Sequence, residues 1–142
     1  MVSALPLALI TFALVIQDVV LVSWALFALL QAVAGLWGSF FLHEMAHIIV
    51  LTMSSDVRVR IESRLMRVSV VPSGRMNGWA VASCALSGPA VAVIIGLVLA
   101  LFASQLGLHW WYLSHVVFVL PAFGDGRSLL RGLAAGRRLI DV

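Results

Sequence analysis

Apolar residues run almost without interruption in four stretches of this chain, and the polar residues gather between and after them. A helix that crosses a bilayer needs about 20 predominantly apolar residues. The stretches at about 4–29, 33–53, 79–104 and 109–125 suit that length, the first with Gln17 and Asp18 inside it and the last with Arg127 just beyond. Trp79 and the pair Trp110 and Trp111 stand at segment ends, where interfacial aromatic residues are expected. The pattern predicts an all-α polytopic membrane protein, a single domain over 1–142 with about four transmembrane helices.

The boundary between the first two helices has two solutions. A turn at Gln17 and Asp18 leaves a second helix of roughly 50 Å at 1.5 Å per residue, longer than the hydrocarbon core. A turn near 31–35 fits better, and Asp18 then lies inside the first span, facing the bundle and hydrogen-bonded to a neighbour. The only sizeable polar segment is the loop at 54–78. From Val57 to Glu62 it alternates apolar and polar residues, the period of a half-buried strand. After Ser63 and Arg64 a β-branched stretch at 65–71 ends at Pro72. Together these predict a short cytoplasmic β-hairpin of two strands between the second and third helices.

Arg58, Arg60, Arg64, Arg67 and Arg75 mark that loop as cytoplasmic, and Arg127, Arg131, Arg137 and Arg138 mark the C-terminus likewise. Two crossings separate the clusters, so both fall on one side and the N-terminus joins them there. The outer connections near 31–35 and 105–108 carry no Arg.

Composition agrees. Of 142 residues, 63% are hydrophobic and 11% charged, against roughly 25% charged in soluble proteins. A soluble globule is excluded. The net charge of +3 comes from nine Arg and no Lys. A nucleic-acid footprint would need a basic patch on a folded polar surface; clusters flanking apolar segments point to a lipid bilayer as partner and not to nucleic acid. No basic residue precedes the first apolar run at Met1, Val2, Ser3 and Ala4, so a retained helix is expected and not a cleaved signal peptide. Cys84 has no second thiol to complete a disulfide or metal motif and reads as a small buried side chain.

Against this apolar background, His43-Glu44-Met45-Ala46-His47 changes the picture. The H-E-x-x-H spacing stacks two imidazoles at i and i+4 on one helix face, with a carboxylate beside them. Two such nitrogens can hold zinc, and Glu44 can act as general base toward a water on the metal. Ionisable groups inside a membrane span are costly and point to function. Catalytic zinc usually has three protein ligands and one open position. Asp18 precedes the motif, Asp56 and Glu62 fall in the polar loop, and Asp141 is at the tail. No third His continues the extended H-E-x-x-H-x-x-G-x-x-H pattern. Asp125 remains, in a segment where Pro121 breaks helical hydrogen bonding and Gly124 and Gly126 relax the backbone. The motif centre lies about 12 Å from the inner end of its helix, and Asp125 is near the inner end of the fourth, so their depths match. His115 is about 15 Å above Asp125 on one helix, too far to share its metal. His109, beside Trp110, reads as interfacial.

This constellation resembles the site-2 protease family of intramembrane zinc metalloproteases, in a compact, prokaryotic form. The order is similar from about residue 30 to 130: H-E-x-x-H on the second helix, a polar hairpin loop, Ser87-Gly88-Pro89 on the third helix, and a Pro-to-Asp-Gly motif on the fourth. The resemblance implies one zinc ion per chain on His43, His47 and Asp125, with Glu44 as the catalytic base. It also implies a transmembrane protein substrate, paired as an added strand with the hairpin, where Val57, Val59, Val68 and Val70 are the candidate contacts. Ala92 and Phe118 stand where the family often has Asn, the Pro-to-Asp spacing is one residue shorter than its commonest form, and the second Pro is missing.

The expected function is hydrolysis of peptide bonds of membrane-spanning proteins, as in regulated intramembrane proteolysis, by an integral protein of the plasma (inner) membrane with cytoplasmic termini. Two alternatives remain at this point. One is an inactive site-2-protease-like protein that binds zinc or a client helix, which Ala92 and Phe118 favour. The other is a small transporter or channel subunit using Asp18 and the histidines, which gives Glu44 no reason to neighbour them.

Overall fold

The computed structural model describes residues 4–53, 57–64 and 67–141. Met1, Val2 and Ser3, on which the retained-helix reading leans, and Asp56 lie outside the described residues. The chain is mostly helical, with a small antiparallel sheet.

The first helix, α1 (Ala4–Val15), packs against the second, α2 (Val19–Leu30). Between them Gln17 takes a left-handed conformation, φ 59°. Asp18 caps α2, its carboxylate accepting from Val20 N at 2.9 Å and Leu21 N at 3.0 Å. The reversal therefore lies at 16–18 and not near 31–35, and Asp18 is a helix cap, not a group facing the bundle.

What lies at 31–35 is part of a π-helical segment, Gln31–Trp37, that leads without a break into α3 (Gly38–Thr52). Such segments shift the hydrogen-bond register from i+4 to i+5. Side chains of a later helix, α5 (His109–Leu113), bind it. Tyr112 Oη donates to Ala34 O at 2.9 Å. Gln31 donates from Nε2 to Leu106 O at 2.6 Å and accepts from Trp111 Nε1 at 2.8 Å. Gly35 leaves room for the Trp111 indole, which a Cβ there would overlap. The two expected outer connections are thus neighbours, although only the second is a connection.

Among the described residues, two helical runs are long and apolar enough to cross a membrane: Val19–Thr52, 34 residues, and α4 (Gly78–Phe102), 25 residues. Four long spans are not shown among the described residues. α1 has 12 residues. The last apolar stretch is divided into α5, a 3-10 segment Ser114–Val119, a turn, and α6 (Gly124–Ala135). The cause is Pro121. Steric conflict with its ring pushes the preceding residue out of helical geometry, and Leu120 is extended at ψ 145°. Phe123 N then donates back to Leu120 O at 3.0 Å, closing a turn. α6 packs against α4 at a glycine crossing: a Cβ on Gly78 would overlap Gly132 O, and one on Gly132 would come 2.6 Å from Ala82 N.

The expected hairpin forms. β1 (Val57–Arg64) pairs antiparallel with β2 (Arg67–Asn77), in register from Val57 opposite Gly74 to Arg64 opposite Arg67. β2 runs on past Pro72, its expected end. It also gains a strand that the sequence reading lacked, β3 (Leu139–Asp141), paired with Arg75–Asn77. The two Arg-bearing segments therefore lie at one end of the molecule.

The interior is built from small residues, among them Ala25, Ala46, Ala85 and Ala92, whereas Leu101 and Phe102 are 79% and 81% exposed. Large side chains outside and small ones between helices are the packing pattern of helices whose solvent is lipid.

Candidate metal centre

His43 and His47 lie one helical turn apart on α3, and both are buried. They are five to nine residues before Thr52, about 8–14 Å along the axis. Cys84 and Gly88, which face them from α4, are six and ten residues after Gly78, about 9–15 Å. The site therefore sits at one level, in the half of the helix pair nearer the sheet.

Asp125 arrives by a different route from the expected one. It is not at the inner end of a long fourth helix. The turn through Pro121 interrupts the helix, and Asp125 falls in the first turn of α6. A carboxylate is favoured there by the exposed N–H groups and dipole of the helix start. Gly126 lets the turn close, because a Cβ would overlap the Leu120 carbonyl.

Asp125 Oδ2 is 3.1 Å from His43 Nε2 and 3.6 Å from His47 Nε2. The two Nε2 atoms are 3.1 Å apart. The three residues form a group that could hold a metal ion. A tetrahedral ion with bonds of about 2 Å keeps its ligand atoms roughly 3.3 Å apart, close to all three separations.

The protonation pattern also fits a cation. His47 Nδ1 lies 2.7 Å from Cys84 O, and a carbonyl can only accept. The Nδ1 proton is thereby fixed, and the lone pair of neutral His47 is on Nε2, facing the centre. Ser87 Oγ donates to the same carbonyl at 2.7 Å. This is the turn of α4 that Pro89, without an N–H, loosens. Cys84 itself is half-buried; its carbonyl orients the His47 ring, and its thiol donates to His47 O at 3.9 Å.

Gly88 clears the centre. A Cβ there would overlap His47 Nε2 and lie 2.9 Å from His43 Nε2. Any side chain at 88 would occupy the space toward which the ligand atoms converge.

Glu44 is half-buried, next to His43 on α3. The Asp125 side chain is 26% exposed, so the centre is enclosed by helices but open along the α6 edge. The loop candidates Val57, Val59, Val68 and Val70 all fall on the hairpin, where Ile61 pairs with Val70 and Ser63 with Val68. β1 is an edge strand of the described sheet.

Comparison with family models, with curated proteins and with solved structures finds no match to this chain.

A further residue lies elsewhere than the sequence predicts. His115, expected far above the metal, is 1% exposed and its Nδ1 lies 3.0 Å from His43 Nδ1. The 15 Å separation assumed one straight helix. The 3-10 segment and the tight turn at Leu120 and Pro121 replace that straight path, so His115 and Asp125 meet the His43 ring at its two nitrogens. The signal was available in Pro121, which rules out a straight path between them.

Proposed function

We propose that this chain is an intramembrane zinc metalloprotease that hydrolyses peptide bonds of membrane-spanning proteins, a compact protein of the site-2 protease type. The observation that carries the reading is the convergence of His43 Nε2, His47 Nε2 and Asp125 Oδ2, with Glu44 next to His43 on a helical run long and apolar enough to cross a bilayer and Asp125 brought in by α6. Two imidazoles and one carboxylate suit zinc, and three protein ligands leave the fourth position open.

Zinc held there would supply Lewis acidity to polarise a scissile carbonyl and acidify water at its open position. The chain's own residues do the rest. Glu44 takes the proton of the attacking water and returns it to the leaving amine nitrogen. Cys84 O holds His47 in the tautomer that offers Nε2. The open edge at Asp125 admits water, and the free edge of β1 offers main-chain groups to an unwound substrate by strand addition. The hairpin, the C-terminal residues and the open side of the centre face the cytoplasm in this reading, and the membrane is the plasma (inner) membrane.

The test is cleavage of single-span substrates by purified protein. Glu44→Gln keeps the shape of the site and removes the base. It lowers cleavage by about 10²–10⁴-fold and leaves metal content unchanged. Undiminished cleavage contradicts the role of Glu44.

One observation favours a second reading, a zinc or client-helix binder that does not cut. The Phe118 ring packs 5.3 Å from that of His43 and 5.2 Å from that of His115, at the position where the resembling family often has Asn. Stoichiometric metal without turnover over a broad panel of substrates would establish the binder. The transporter reading has lost Asp18, whose carboxylate caps α2.

A further inference from the structure

His43 and His47 both present Nε2 to the centre, so a neutral ring at either position must carry its proton on Nδ1. For His47 the Cys84 carbonyl ensures this. At His43 the Nδ1 partner is another imidazole, His115 Nδ1, at 3.0 Å. Two nitrogens this close share one proton, so one ring donates and the other accepts. With His115 as donor, neutral His43 would carry its proton on Nε2 and have no lone pair for a metal. With His115 as acceptor, His43 is a ligand. The His115 ring has little freedom to leave: it is 1% exposed and packed edge-on against Phe40 at 4.9 Å, with Phe118 at 5.2 Å.

We propose that His115 is the positioning residue of the metal centre: its Nδ1 accepts the His43 Nδ1–H and selects the His43 tautomer whose Nε2 binds metal. The inference rests on the reading of His43 as a ligand. It gives the two ligands different orienters, a backbone carbonyl for His47 and a side chain for His43. Ligating histidines commonly donate their second ring N–H to an acceptor of this kind, and loss of the acceptor typically weakens metal binding 10–100-fold. His43 is accordingly the ligand whose orientation a single side-chain substitution can release.

Two substitutions of similar shape test it. In His115→Asn the amide oxygen is bonded to Cγ, as Nδ1 is in histidine, and can accept the same proton. His115→Leu has the same branching and no acceptor. Full-length apo-protein in detergent is titrated with Zn²⁺ against a competing chelator, and with Co²⁺ for its absorption spectrum. The expected result is a loss of about 10–100-fold in Zn²⁺ affinity for His115→Leu, with affinity and Co²⁺ spectrum largely restored in His115→Asn. Wild-type affinity in His115→Leu overturns the proposal alone. An equal loss in both variants overturns it too, because the ring's bulk and not its acceptor would then matter. If His115→Leu does not fold, His115→Gln replaces it, since its amide sits one bond further out and should not restore binding. Wild-type protein that takes up no metal overturns the ligand reading, and this proposal with it.

Discussion

His43, His47 and Asp125 would hold the metal, Glu44 would act as base, and Gly88 keeps space for them. His43 and His47 were legible in the sequence because i and i+4 fix their relation within a single turn, whatever the rest of the chain does. Gly88 was legible only as part of a Gly-Pro pair. Its physical role, an absent Cβ beside both Nε2 atoms, needed α3 and α4 to be placed together. Gly88→Ala adds one methyl group where the ligand atoms converge. Zinc affinity is expected to fall by at least tenfold, about 1.4 kcal/mol, with helix content unchanged. Chelator competition and circular dichroism check it, and an unaltered affinity would mean that the centre has room to spare. His115 was illegible from spacing alone, because ten residues mean 15 Å only along a straight helix. A proline between two polar residues in an apolar stretch marks the place where such a distance no longer holds.

Among the elements, α6 decides whether the site exists, because it carries Asp125. This helix lies beyond the last apolar stretch, and its signal in the sequence is the helical spacing of Leu129, Leu130 and Leu133. β3 is three residues long and is specified by its pairing with β2 and not by its own pattern. The hairpin was legible from its alternation. The long Val19–Thr52 run was rejected because its roughly 50 Å exceeds the hydrocarbon core. The thickness of the hydrocarbon core limits how much of a helix lies in lipid, not how long the helix is. The position of α6 depends on the close approach of Gly78 and Gly132. Gly132→Leu forces the helices apart and is expected to destabilise the protein by about 1–3 kcal/mol, the usual cost of overpacking. It should weaken metal binding as well, because Asp125 moves with α6. Thermal unfolding with and without added Zn²⁺ measures both effects. Lower stability with unchanged metal affinity would show that Asp125 does not depend on this crossing.

For the whole molecule, the sequence marked stretches apolar enough to cross a membrane but not how they are arranged. An apolar composition and arginines confined to two segments are properties of a membrane protein whatever its topology. The arrangement depends on contacts distant in the chain: Gln31 with Leu106 and Trp111 at one end, β3 with β2 at the other, and three side chains from α3 and α6 between them. The protein is expected to stay with membranes through alkaline and high-salt washes and to need detergent for release. Recovery in the soluble fraction would contradict the reading of its exposed leucines and phenylalanines. The metal centre joins these parts, and its most direct test is metal content. Purified wild-type protein and Asp125→Ala are equilibrated with Zn²⁺, desalted and analysed for bound metal per chain. One zinc per chain in the wild type, with loss in Asp125→Ala, is the predicted result; no bound zinc in the wild type, or equal retention in the variant, would contradict it.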